Sequence, residues 1–393
     1  MEDFYRTHSY LVEHCNAPVR RVLMDEVDWS ARMIGIKGTR GVGKTTFLLQ
    51  YAKEKFGPND RRCLYVNMNN FYFQGRGICD FAGEFYREGG RVLLIDQVFK
   101  QSDWSRELRH CYDMYPGLKI VFAGSSVMRL KQENPELENI VKSYNLRGFS
   151  FREYLNLRTG NSFSWAPLDE LLRNKEQMVD EVTAKVNPME YFAQYLEHGF
   201  YPLFREHYDF ADNLLKSMNM MTEIDILLIK QIELKYLPKI KKLFYLLAVA
   251  GPKAPNVSHL AQEIETSRAT VMNYIKYLAD ARLINMIYPV GQEFPKKPSK
   301  VMLHNPNLYQ AVFPLNFERQ AQMETFFVNT MWKDHKVNQS PRDNYYIIDG
   351  MRHFRVCHSM EVPRVNNGTM YCQYDTGQVA ENVVPLWLLG FLY

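Results

Sequence analysis

What is scarce in this chain narrows its chemistry before any motif is found. Its 393 residues include six cysteines, Cys15, Cys63, Cys79, Cys111, Cys357 and Cys372, scattered without a C-x-x-C pair. Neither a zinc site nor a disulfide framework is suggested, and reduced thiols are the plain expectation. Long hydrophobic runs are also missing. The longest, Leu243 to Ala250 and Pro385 to Leu389, fall far short of the ~20 apolar residues a spanning helix needs. The opening residues, Met1-Glu2-Asp3-Phe4, show no basic stretch followed by an apolar one, so no secretory signal is expected. A cytoplasmic chain with no membrane partner is the resulting expectation. An excess of one charge is nearly absent too: the formal net charge is +4, too small for bulk electrostatics to argue nucleic-acid binding.

What is plentiful is core-forming material. Hydrophobic residues make up 46% and aromatics 14%, with 25 Tyr and 24 Phe. At about 150 residues per domain, that suits two or three domains.

The sharpest local signal is Gly38-Thr39-Arg40-Gly41-Val42-Gly43-Lys44-Thr45-Thr46, which fits G-x-x-x-x-G-K-[ST]. It follows an apolar run, Arg32 to Lys37, and precedes an amphipathic segment, Phe47 to Phe56. Small residues at that spacing let successive backbone N–H groups curl around a phosphate at the positive end of the following helix. Lys44 then reaches the β- and γ-phosphates of a nucleotide, and Thr45 offers its hydroxyl to Mg²⁺.

Downstream, Arg62 to Met68 reads as a strand, Ile78 to Glu88 as a helix broken by Gly89-Gly90, and Arg91 to Gln97 as a buried strand. The last delivers Asp96 at its C-terminal end, where an acid in a phosphate-loop protein holds Mg²⁺ together with Thr45. Asp103 is the expected N-cap of a helix from Trp104 to about Tyr115. Lys119 to Ser126 reads as a strand whose tip places Ser125 within reach of a γ-phosphate or, alternatively, as a simple cap. Tyr144 to Arg147 is a short fifth strand candidate. Strands alternating with helices predict an α/β fold, a doubly wound parallel sheet with ligand groups at the carboxyl ends of its strands.

Taken together, the loop, the Leu93-Leu94-Ile95-Asp96 strand, Asp103 to Leu108, Lys119 to Ser126 and Gly148 to Leu155 resemble prokaryotic AAA-type ATPases with a C-terminal domain of unknown function. The resemblance runs along nearly the whole chain, to Pro385 to Tyr393. It implies a P-loop ATPase domain over 1–160, a helical lid over 161–235, a winged helix over 236–305, and a restriction-nuclease-like α+β domain over 306–393. It also implies ATP and Mg²⁺ as cofactors.

Two departures from that family bear on catalysis. The family follows its metal-binding acid with Glu, the base that activates water; here the position is Gln97, and a carboxamide cannot take a proton. General-base catalysis is typically worth about 10²–10⁴-fold. The family also carries an arginine before its fifth strand, where this chain has Glu136 to Lys142 with no Arg; Arg129 or Lys142 are the nearest substitutes. Nucleotide binding with slow or absent hydrolysis is therefore expected, as in a nucleotide-dependent switch.

In the second half, Leu168 to Val182 and Met189 to Leu196 have helical periodicity. Ile240 to Val249, a helix capped by Ser258, a second from Arg268 to Ala281, and paired strands Leu283 to Tyr288 and Lys300 to Leu303 form a winged helix-turn-helix pattern. Its second helix exposes Arg268, Thr270, Asn273, Lys276 and Tyr277, and the wing carries Lys296, Lys297 and Lys300, a footprint for DNA. Packing against the ATPase core is the other use of such a module. A nuclease-like site needs clustered carboxylates: Glu324 fits the helix acid, with Asp343 or Asp349 as a second. Arg355-Val356-Cys357-His358 stands where the family has Glu-Val-Gly-Gly, putting a positive charge at a cation site. A retained scaffold is expected there. A DNA-binding ATPase or regulator, and a non-catalytic interaction module working with a protein partner or as a homo-oligomer, in a defence or toxin-linked role, stay open as alternatives.

Overall fold

A computed structural model describes the chain except residues 129, 131, 203–208, 314–316 and 362–367. It divides into two compact units, Met1–Arg147 and Gly148–Tyr393.

The first unit is a parallel sheet flanked by helices. In chain order it runs α1 (Glu2–Glu13), α2 (Leu23–Glu26), β1 (Met33–Gly38), α3 (Lys44–Lys55), β2 (Cys63–Asn67), α4 (Ile78–Arg87), β3 (Val92–Asp96), α5 (Trp104–Met114), β4 (Lys119–Ser125) and β5 (Lys142–Asn145). The strands pair in the order β2-β3-β4-β1-β5, and every pairing is parallel. Parallel strands covered on both faces read as continuous apolar runs, and Val92 to Ile95 is buried along its length. The register sets Gly38 opposite Ser125 and Asn67 opposite Asp96, so four strands deliver these residues to one edge of the sheet.

The helices hold by specific contacts. Trp29 stacks on Tyr51 of α3 with ring centroids 3.8 Å apart. The free N-terminus of α4 is satisfied from outside its own sequence, because Glu107 on α5 accepts a hydrogen bond from the Cys79 N–H at 2.8 Å. Asp103 sits at the N-cap position of α5, but its side chain makes no capping bond. There the expectation was right about the position and wrong about the interaction.

The second unit opens with α6 (Phe151–Thr159), whose Ser150 and Glu153 form a reciprocal capping box. Then come α7 (Leu168–Arg173), α8 (Lys175–Thr183), α9 (Pro188–Gln194), α10 (Phe210–Met220) and α11 (Leu227–Lys230). The helical periodicity over Leu168 to Val182 falls on two helices, parted at Asn174. A helical trio follows, α12 (Leu237–Ala250), α13 (Val257–Glu263) and α14 (Arg268–Asp280), then antiparallel β6 (Ile284–Ile287) and β7 (Lys300–Leu303). The cap of α13 is Asn256, whose side chain accepts from His259 N–H, not Ser258 as expected. The unit ends with α15 (Leu308–Val312), α16 (Arg319–Met331) and β8 (Val337–Gln339), β9 (Tyr345–Ile348), β10 (Arg352–Cys357), β11 (Thr369–Gln373) and β12 (Val383–Pro385). These last strands form a mixed sheet in the order β12-β11-β10-β9-β8, antiparallel at one side and parallel at the other. This is the expected C-terminal α+β part. Helix α16 is buried from Ala321 through Met331, on every face, as befits a core helix rather than a surface one. Among the described residues, no helix is long and apolar enough to cross a membrane.

Candidate functional site

The site of the first unit is built where β1 gives way to α3. The backbone must turn sharply there, and Gly43, the N-cap of α3, has φ 94°. That is a left-handed conformation which side-chain-bearing residues rarely adopt. Gly38, at the end of β1, is required for a different reason. A Cβ on it would lie 2.5 Å from the backbone oxygen of Leu146. The loop Gly38, Thr39, Arg40, Gly41, Val42, Gly43, Lys44, Thr45, Thr46 therefore fits closely against the strand beside it. Val42 is buried beneath it, and Arg21 donates to the Val42 carbonyl at 3.3 Å.

Lys44 opens α3 and curls back over the loop. Its Nζ donates to the carbonyl oxygens of Gly38 at 2.9 Å and Thr39 at 2.7 Å. Thr45, the next residue, donates from Oγ1 to Asp96 Oδ2 at 2.5 Å. The hydroxyl and the carboxylate, 51 positions apart in sequence, thus meet as two hard oxygen donors. That donor chemistry suits a small divalent cation such as Mg²⁺, and a glycine-built loop at the N-terminus of a 12-residue helix suits phosphate.

Asp96 is held by more than Thr45. Its Oδ1 accepts from the Gln97 N–H at 2.9 Å, and its Oδ2 also accepts from the Tyr65 hydroxyl at 3.0 Å. No motif in the sequence marks Tyr65. Burial, and then the Asp96 charge, raise its hydroxyl's pKa, so it remains a donor. The only hint in the sequence was its place two residues before the end of β2, on the same side as Asn67.

Gln97 itself takes φ 54°, an unusual conformation for a residue with a side chain, of the kind that collects at functional sites. Its Oε1 is buried without a hydrogen-bond partner. Ser125 also reaches this edge of the sheet, 2% exposed, and its Oγ accepts from the Val127 N–H at 3.3 Å. The sheet therefore brings together the loop, Asp96, Gln97 and Ser125 at its carboxyl edge.

Lys142, considered as a replacement for the missing arginine, is placed elsewhere. It pairs with Ile34 at the start of β1, four residues before Gly38, which is roughly 13 Å along the strand. There it forms an ion pair with Asp28. Arg129 lies outside the described residues.

The second unit separates several residues that the sequence grouped. Arg268 and Asn273 on α14 are exposed, as are Lys296 and Lys297 between β6 and β7. Lys276 is half-buried and bonded to Asp280 at 2.8 Å. Lys300, expected on the wing surface, is instead buried, 2.9 Å from the equally buried Glu324. Glu324 also accepts from the Tyr346 hydroxyl and from Gln320 at 3.3 Å. Of the two acids expected beside it, Asp343 lines the same cavity as Glu324 and Lys300, and Asp349 is engaged elsewhere. Asp349 meets His335 at 2.7 Å, Asp343 is exposed, and Arg355 pairs with Glu361. His358, adjacent to buried Cys357, binds Asp375 at 3.0 Å. Among the described residues, no group of three or more His, Cys, Asp or Glu side chains is placed to hold a metal ion.

Comparison with known proteins agrees on the first unit. Residues 30–155 match the family model described as an AAA domain, so this unit carries an AAA-type P-loop domain, a nucleotide-binding fold. Residues 189–319 match a second family model, Domain of unknown function (DUF8612). An uncharacterized protein of Methanocaldococcus jannaschii is 30% identical over 279 residues, 66% of this chain and 57% of that protein. The chain thus spans a little over half the length of this relative. Solved structures with similarity include the Aeropyrum pernix ORC1 protein in complex with DNA, at 12% identity and TM-score 0.29, covering 77% of this chain and 88% of that one. Another is C. elegans PCH-2, at 14% identity and TM-score 0.24, covering 44% and 47%.

Proposed function

We propose that this chain binds ATP with Mg²⁺ at the loop Gly38–Thr46 and acts as a nucleotide-dependent switch whose hydrolysis is slow. The observation that carries the reading is the Thr45–Asp96 contact at 2.5 Å beside a glycine-built loop and its lysine. In this reading Lys44 and the loop N–H groups hold the phosphates, Thr45 and Asp96 hold the cation, and the cation would neutralise phosphate charge. Gln97 and Ser125 face the reacting end. Gln97 can orient a water through its amide and cannot deprotonate it, which is why turnover is slow. Isothermal calorimetry tests the assignment. The wild-type chain binds ATP·Mg²⁺, and Lys44→Ala loses most of that affinity. No heat of binding from the wild type, with Lys44→Ala indistinguishable from it, refutes the reading.

The proposed division places the ATPase domain at 1–160, a helical lid at 161–235, a winged helix at 236–305, and a degenerate nuclease-like domain at 306–393 that serves as scaffold. A second reading, a DNA-binding ATPase or regulator, draws on one observation: Arg268 and Asn273 on α14 and Lys296 and Lys297 after β6 are all exposed. It predicts duplex binding that weakens with salt and on neutralising Arg268, Lys296 and Lys297. A chain that pulls down a protein partner or assembles with itself, and binds no duplex, favours the interaction module instead.

A further inference from the structure

The Tyr65 hydroxyl has no part in the motifs that define a phosphate loop, yet it touches the acid at the centre of the site. Tyr65 lies on β2, 4% exposed, and its register partner on β3 is Leu94. From there its ring runs along the sheet face to Asp96, and the hydroxyl donates to Oδ2 at 3.0 Å. The strand carrying it is braced from the other side. His8 on α1 is buried, and its Nδ1 accepts the Tyr65 backbone N–H at 3.0 Å.

Resting on the reading of this site as a Mg²⁺–nucleotide site, we propose that Tyr65 is a positioning residue for the cation, acting by holding the Asp96 carboxylate in its binding orientation. The terminal torsion of an aspartate is soft, and a carboxylate has about four acceptor positions. Three are taken here, by Thr45, Tyr65 and the Gln97 N–H. Thr45 can bind the cation through a lone pair and still donate its proton to Asp96, so Tyr65 is a second donor on the same carboxylate oxygen, and one that is not itself a proposed ligand. Tyr65 stays with Asp96 as a side-chain donor. Groups that orient a metal ligand in this way typically contribute about 10–100-fold to metal affinity.

The test is a Mg²⁺ titration of the full chain with a fluorescent ATP analogue, in EDTA and in rising Mg²⁺, comparing wild type with Tyr65→Phe. The variant keeps the ring and loses only the hydroxyl. Expected is analogue affinity in EDTA within about twofold of wild type, with the Mg²⁺ half-saturation point raised roughly 10–100-fold. An unchanged half-saturation point overturns the proposal, and so does an equal loss in EDTA, which marks general damage. A second arm uses Asp96→Asn, in which Tyr65→Phe adds no further change; additive losses mean that Tyr65 does not act through Asp96. No analogue binding by wild type in either condition overturns the nucleotide reading itself, whereas wild-type binding that ignores Mg²⁺ overturns the cation assignment.

Discussion

Removing the ammonium of Lys300 is the sharpest stability test that the second unit offers. Lys300 and Glu324 have side-chain exposures of 4% and 2% and are separated by 2.9 Å. In Lys300→Met the stem is replaced by an apolar chain of similar length, and Glu324 is left with Tyr346 and Gln320 as donors but no counter-charge. Stranding one partner of a buried ion pair costs about 3–5 kcal/mol, roughly a 10²–10⁴-fold rise in the open population. Hydrogen exchange followed by mass spectrometry reads this locally. Peptides spanning α16 and β7 lose protection by that factor, while peptides spanning β1 and β3 of the first unit serve as the internal reference. The double variant Lys300→Met/Glu324→Gln removes both charges and recovers protection to within about tenfold of wild type, since a neutral pair leaves no buried charge to solvate. Unchanged exchange of α16 in Lys300→Met refutes the reasoning, as does a double variant no better protected than the single one.

Restoring the missing base should change chemistry rather than binding. Gln97→Glu is expected to raise single-turnover phosphate release from ATP by about 10²–10⁴-fold, and a wild type that already turns over at an ordinary ATPase rate, with no gain in the variant, removes residue 97 from the attacking water. A third prediction concerns acid. Burial lowers the His8 pKa from 6.5 to about 4, so the unfolded chain takes up this proton before the folded one does. Stability fully present above about pH 6.5 is therefore lost progressively as the pH falls toward 4. His8→Asn keeps an acceptor for the Tyr65 N–H and cannot titrate, so its melting temperature should fall less between pH 7 and pH 5; equal falls mean His8 is not the group.

The chain revealed its first unit more readily than its second, and the reason is physical. Parallel strands buried on both faces must be apolar throughout, so Leu93-Leu94-Ile95 could be recognised from side-chain type alone, and Asp96 stood out as the break in that run. The glycine-lysine-threonine spacing is a backbone requirement, and it too is local. The remaining site residues depend on partners remote in sequence. Tyr65 reads as one more β-forming aromatic until β2 lies beside β3, and His8 reads as a helix-surface residue until α1 covers the same strand. Lys300 fails in the opposite sense: among Lys296 and Lys297 it looks like a surface cation, but α16 packs over β7 and buries it with Glu324. Lys142 looked close to the phosphates in sequence, yet it begins its strand at the edge remote from them. The caps Asp103 and Ser258 show the same limit at short range, since the residue type fitted and the hydrogen bond went elsewhere.

The close fit of Gly38 against Leu146 has a mechanical consequence. The Lys37 carbonyl accepts the Leu146 N–H at 2.7 Å, and the next carbonyl along, that of Arg147, is gripped by Arg21 at 2.8 Å; Arg21 also holds the loop at Val42. Arg147 is the last residue of the first unit. The root of the loop and the peptide by which the chain leaves this unit are thus riveted together, with no compliant segment between them. Any displacement of the first glycine is thereby felt at Leu146 and Arg147, the last residues of the first unit, through these hydrogen bonds.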